Sequence, residues 1–126
     1  PEFAPELGEP WAIAKLYYIN AFHRQRFAAI ARHLREEGQP NEELEDMLLH
    51  FDERTDRLLT TRVDVRDYLQ VRDDALRAHA TQVDPDGPFF VSSPEVERKI
   101  WPTEEFELAK SRVKTEIPET DLFAGL

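Results

Sequence analysis

Three polar side chains recur along one helical stretch. In VRDDALRAHATQ (residues 71–82), Arg72 and His79 lie seven residues apart, two helical turns, and Gln82 follows on the same side or just past the helix end. A histidine and a glutamine that close an otherwise apolar stripe need hydrogen-bond partners if they are buried. The group therefore reads either as a satisfied polar network inside a core or as the wall of a ligand pocket.

Other arrangements support less chemistry. The turn Asp84-Pro85-Asp86-Gly87 has the acidity of a calcium loop, but its glycine comes too early and no glutamate closes it at the twelfth position. It predicts a plain turn, with proline presetting φ. His23, His33, His50 and His79 are each at least ten residues apart, so none forms the H-x-x-x-H pair of a helical zinc site. His33 and His50 are expected at the surface, and nothing marks His23 out. There is no G-x-S-x-G elbow, phosphate loop or dinucleotide fingerprint. Tyr17, Tyr18, Phe22 and Phe27 are expected in the core rather than in a ligand stack.

The elements that must position these groups follow from periodicity. PEFAPELGEP holds three prolines in ten residues, which predicts a linker or loop over 1–10 and a domain over 11–126. AIAKLYYI (12–19) reads as a strand mostly buried on both faces. Phe27, Ile30, Ala31 and Leu34 make one face of a helix that stops at Gly38, and Asn41 caps a second helix carrying Leu44, Met47, Leu48 and Phe51. A short strand is expected at 60–65, and a third helix over 66–82 whose inner stripe runs through Leu69, Arg72, Ala75, Leu76 and His79. A two-turn helix starts at Pro94, EFELAKSRV reads as a strand, and Leu122, Phe123 and Leu126 offer a tail for docking. Strands alternating with helices give an α/β class, with two or three strands and three to four helices.

Composition bounds the function. The 126 residues carry a net charge of −10, with 40% hydrophobic and 33% charged residues, which suits a folded domain and excludes disorder. Without a basic stripe to offset that charge, nucleic acid and anionic membrane are excluded as partners. No apolar run reaches the ~20 residues of a membrane span. The absence of cysteine excludes thiolate metal sites and suits a reducing compartment, so a cytoplasmic protein is expected. The chain starts at Pro1 without a methionine, which predicts an engineered fragment, a cleavage product or the ordered remainder of something longer.

RDDALRAHATQVDPDGPFF, WPTEEFELAKSRV, ETDLFAGL and GEPWAIAKLYY together resemble the C-terminal part of the mycothiol S-conjugate amidases. These are members of the zinc-dependent N-acetylglucosaminyl deacetylase-like family. The resemblance runs from about Gly8 to Leu126, and WPTEEFEL and DLFAGL favour the amidases over the related mycothiol-biosynthesis deacetylases, which share AHATQ. It implies the C-terminal part of a Rossmann-like fold. It also implies an enzyme whose zinc is held by two histidines and an aspartate, with a further aspartate as general base. The reaction implied is hydrolysis of the cysteinyl-glucosamine amide of a mycothiol S-conjugate, giving a mercapturic acid and glucosaminyl inositol. The family's H-P-D-D and H-P-D-H motifs are absent from these 126 residues. The chain alone is therefore expected to be inactive, with zinc and base supplied by an N-terminal half acting as its partner. By resemblance Gln82 contacts the sugar-inositol part of the substrate, His79 is a neighbouring pocket group, and Arg72 is a more distant one. The competing reading is a helical interaction module without catalysis.

Overall fold

The computed structural model describes residues 5–51 and 59–126, so the first four residues of the expected linker lie outside the described part. Among the described residues, four α-helices and three strands form a mixed α/β unit. The strands are β1 (Lys15–Ile19), β2 (Thr61–Asp64) and β3 (Thr103–Ser111). They lie in the order β1-β3-β2, with both pairings antiparallel. β3 is thus the central strand, with Phe106 opposite both Ile19 and Thr61. The outer edge of β2 is partly covered, because Arg62 N–H donates to the Glu119 carbonyl (2.9 Å) and Glu119 N–H to that of Thr60 (2.9 Å).

The helices are α1 (Arg24–Glu36), α2 (Glu42–Leu49), α3 (Leu69–Arg77) and α4 (Pro94–Ile100). Their starts follow local chemistry. Asn41 Oδ1 accepts from Leu44 N–H (2.9 Å) at the head of α2, and Ser93 Oγ accepts from Val96 N–H (3.3 Å) at the head of α4, where Pro94 opens the first turn. α1 ends on Gly38 at φ +72°, with Gly38 N–H bonded to the Arg35 carbonyl and Gln39 N–H to that of Leu34, a pairing that occupies two orphan carbonyls. Between α1 and α2 lies the apolar core of Phe27, Ile30, Ala31 and Leu44, flanked by Leu34, Met47, Leu48, Phe51, Val91 and Ile100.

Several expectations are corrected. β1 is shorter than 12–19 and is not buried on both faces; it pairs on one side only, and Leu16, Tyr18 and Ile19 are exposed. Of the aromatic residues expected in the core, Phe27 is buried, whereas Tyr18 and Phe22 keep substantial exposure. α3 stops at Arg77 rather than near Gln82. Beyond it the bonds tighten: His79 N–H donates to the Leu76 carbonyl, and Gln82 and Val83 N–H both donate to that of His79 (2.7 and 2.9 Å). The inward face of α3 keeps Leu69, Arg72 and Leu76 of the expected stripe, gains Asp73 and loses Ala75 and His79. Leu69 and Asp73 are buried and Leu76 is half-buried, while Ala75 and His79 are exposed. Buried Asp73 pairs with the neighbouring Arg72 (2.8 Å). Of the tail residues expected to dock, Leu122 is half-buried while Phe123 and Leu126 stay exposed, and backbone carbonyls carry the polar contacts: Lys15 Nζ donates to that of Ala124 (2.8 Å) and Tyr17 Oη to that of Leu122 (3.3 Å). No helix among the described residues is long and apolar enough to cross a membrane.

Candidate functional site

Arg72 sits where α1, α3, α4 and β3 meet. Its Nη1 donates to Glu97 Oε2 (2.8 Å), and its Nε and Nη2 both donate to Asp73 Oδ1 (3.1 and 2.8 Å). All three guanidinium nitrogens are thereby committed to carboxylates. Arg26 from α1 reaches the same acceptor, with Nη2 2.7 Å from Glu97 Oε2, and Ser92 Oγ donates to Glu97 Oε1 (2.9 Å). Glu97 and Asp73 are each only 1% exposed. Burial alone would raise the Glu97 carboxyl, but the two guanidiniums outweigh it and hold Glu97 below the usual glutamate value. The same pairing holds Arg72 above its ordinary value despite desolvation.

Beside this cluster is a cavity of about 170 Å³ lined by Ala21, Phe22, Arg26, Arg72, Leu76, Phe89 and Glu104. Phe22 and Phe89 meet edge to face across it, with ring centroids 4.9 Å apart. Glu104 lies 3.8 Å from Arg72 Nη1, too far for a hydrogen bond. Burial pushes its carboxyl up, and the charges of Arg26 and Arg72 offset this only in part. The volume admits a small polar fragment. It falls short of the ~300–1,000 Å³ of a pocket that encloses a whole small-molecule ligand.

A second buried network lies at the head of α1. His23, fully buried, caps that helix: its Nδ1 accepts from Arg26 N–H (3.3 Å), and its Nε2 donates to Glu105 Oε2 (3.1 Å). Glu105 Oε1 accepts from Trp101 Nε1 (2.9 Å) and, in a shorter contact, from Thr103 Oγ1. Burial opposes ionisation of Glu105, and the bonds from His23, Thr103 and Trp101 outweigh it, leaving the carboxyl lowered. Glu119 forms a third network. It pairs with Lys15 and accepts from Tyr17 Oη (2.8 Å) and Thr61 Oγ1 (3.1 Å), which lower its carboxyl against the opposing effect of desolvation.

These networks set a pH dependence. Glu97, Glu105 and Glu119 have folded-state values below the ordinary 4.5, so their contribution is present above 4.5 and is lost as pH falls through the depressed values. Glu104 acts oppositely, since its raised value favours the fold below 4.5 and withdraws that contribution as pH rises. With three carboxyls against one, the urea midpoint at constant ionic strength is expected to drop between pH 5 and pH 3. A flat or rising midpoint over that range would contradict the assignment.

The three residues singled out in the sequence do not share one cavity. Arg72 lines the α1–α3–β3 cavity as part of the ion-pair cluster. His79 and Gln82 are exposed just beyond the end of α3, outside any buried polar network. His79 Nδ1 donates to the Ala75 carbonyl (2.7 Å), which in the neutral ring leaves the Nε2 lone pair outward, and Gln82 Nε2 reaches Thr81 Oγ1 at 3.5 Å. Sequence reasoning misses His23 altogether, along with Glu97, Glu105 and Glu119. Only Glu105 has a sequence signal, the alternation Trp101-x-Thr103-x-Glu105 in a strand-like run. Among the described residues no three His, Asp or Glu side chains come together as a cation site, so they do not fit a zinc centre.

Comparison with known proteins finds relatives named as amidase and deacetylase enzymes. In particular, the chain is 45% identical over 123 residues to the mycothiol S-conjugate amidase of Streptomyces coelicolor, an alignment covering 96% of this chain and 42% of that enzyme. It is 39% identical over 137 aligned residues to the 1D-myo-inositol 2-acetamido-2-deoxy-alpha-D-glucopyranoside deacetylase of a Nocardioides species, and 34% identical over 134 to that of Streptomyces avermitilis. Each of these two alignments covers all of this chain and 43% of the relative. The chain is thus a homologue of the C-terminal portion of both enzymes, and it spans less than half the length of these relatives. No family model and no solved structure matches it.

Proposed function

We propose that the chain is the C-terminal part of a cytoplasmic, zinc-dependent amidohydrolase that cleaves the cysteinyl-glucosamine amide of mycothiol S-conjugates. Water adds across that bond, releasing a mercapturic acid and the free amine of glucosaminyl inositol. The zinc and general base belong to polypeptide outside these 126 residues, and this chain supplies a wall of the substrate pocket. The observation that carries the reading is the higher identity to the amidase, 45% against 39% and 34% for the deacetylases, over nearly the whole chain.

Within this reading Gln82 binds hydroxyl groups of the sugar-inositol moiety and His79 lies beside it, its outward Nε2 available as an acceptor. Both are exposed at one end of α3, where a partner segment can meet them. Arg72 acts indirectly, by holding α3 to α4 through Glu97. In the full-length enzyme, Gln82→Ala is expected to lower kcat/KM for a mycothiol S-conjugate about tenfold, the equivalent of ~1.4 kcal/mol, with bound zinc unchanged. Unchanged kinetics would remove Gln82 from the site. Turnover of the N-acetylated glucosaminyl inositol in preference to the conjugate would reassign the enzyme as a deacetylase.

A further inference from the structure

α3 has three sectors, and only two have a clear role in the fold. Leu69, Asp73 and Leu76 face inward, towards α4 and the ion-pair cluster. Gln70, Asp74 and Arg77 form a charged and polar sector of the kind that faces water. The third sector follows i, i+3, i+7 and i+10 spacing through Tyr68, Val71, Ala75 and Ala78, and every one of these is exposed. Tyr68 is 67% and Val71 61% exposed. A helix that carries a buried face and, apart from it, an exposed apolar stripe is one that packs on two sides. The outer stripe is uncharged, and in the direction of the chain it runs into His79 and Gln82.

We infer that this outer stripe of α3 is the seam against the remaining portion of the same polypeptide, the part that the longer relatives have and these residues lack. More than half of each relative lies outside the aligned region, which supplies a second body large enough to cover the face. The small side chains Ala75 and Ala78 let a neighbouring element approach α3 closely, and Tyr68 and Val71 supply the apolar area at its start. Closure of the seam fixes the helix end against the second body. His79 and Gln82 are thereby held at its margin rather than in open solvent. The inference rests on the proposed function for the identity of the covering body, but its test does not depend on turnover.

The chain has no cysteine, so single thiols placed in it report by position. In the full-length protein, Val71→Cys and Ala75→Cys are compared with Asp74→Cys, whose native side chain is 65% exposed. Labelling by a small maleimide is read by peptide mass, so thiols elsewhere do not interfere. Positions 71 and 75 are expected to label at least 100-fold more slowly than position 74, at every protein concentration. Equal labelling at all three positions would overturn the seam. Protection that disappears on dilution would overturn it too, by assigning the face to a second copy. If protection holds while the conjugate is not hydrolysed, the seam stands and the proposed activity fails. Turnover with unprotected thiols would leave the activity standing and remove the seam.

Discussion

Glu97→Ala is expected to destabilise the protein by about 3–5 kcal/mol at neutral pH, the range for removing one partner of a buried ion pair. The reason is what stays behind. Arg26 and Arg72 both donate to Glu97 Oε2, and their side chains are only 12% and 22% exposed. Without the carboxylate, two like charges face each other across a desolvated gap. Arg72 retains Asp73, but Arg26 is left with the Ala21 carbonyl at 3.3 Å and the face of Phe27. Glu97→Gln keeps the shape and one acceptor while losing the charge, and should fall between wild type and alanine. The decisive measurement is a double-mutant cycle by urea unfolding. Arg26→Met should cost less in the Glu97→Ala background than in wild type, by at least ~1 kcal/mol, because the residue removed there is already unpaired. Additive effects would mean that the pair carries no coupling and that Glu97 is simply a filled volume.

The helix starts, the core of the α1–α2 pair and the strand at 103–111 are legible in the sequence because their causes are local. Asn41, Gly38 and Pro94 act within four residues of themselves, and the Phe27–Ile30–Ala31–Leu34 stripe repeats within one helix. The buried carboxylates are illegible because their partners are remote. Arg26 and Glu97 are 71 residues apart, His23 and Glu105 are 82, and Tyr17 and Glu119 are 102. In a chain with 26 acidic residues, nothing local distinguishes the few that are buried. The end of α3 is half legible. Its polar residues stand out, and Leu69, Arg72 and Leu76 of the expected stripe do face inward, but the helix ends at Arg77 and leaves Ala75 and His79 exposed, with Asp73 buried in their place. A helix with apolar residues on two sides gives no sequence cue to which side its own domain covers. The strand expected at 12–19 departs from the structure for a related reason, since aromatic and aliphatic density marks burial without saying whether the covering surface belongs to the same unit.

Glu105→Ala should cost at least about 3 kcal/mol, because it strands three donors at once. His23 Nε2–H, Trp101 Nε1–H and Thr103 Oγ1–H all end on this carboxylate, and each buried donor left unsatisfied costs ~1–3 kcal/mol. Loss of its acceptor also frees the His23 ring to turn, and the same ring caps α1 through Nδ1. The damage should therefore spread to the first turn of α1, where the adjacent Arg26 belongs to the Glu97 cluster. Hydrogen exchange separates this from a purely local loss. The Arg26 amide, which bonds to His23, should lose protection in Glu105→Ala, while the Leu44 amide capped by Asn41 should fall only with global stability. Glu105→Gln provides the sharper comparison. An amide oriented with its oxygen toward His23 turns its NH₂ group toward Trp101, where donor meets donor, while the Thr103 hydroxyl can rotate to accept, so part of the loss persists even though the shape is kept. A glutamine variant as stable as wild type would mean that the charge and acceptor count of Glu105 are dispensable, and that packing alone joins the head of α1 to the central strand.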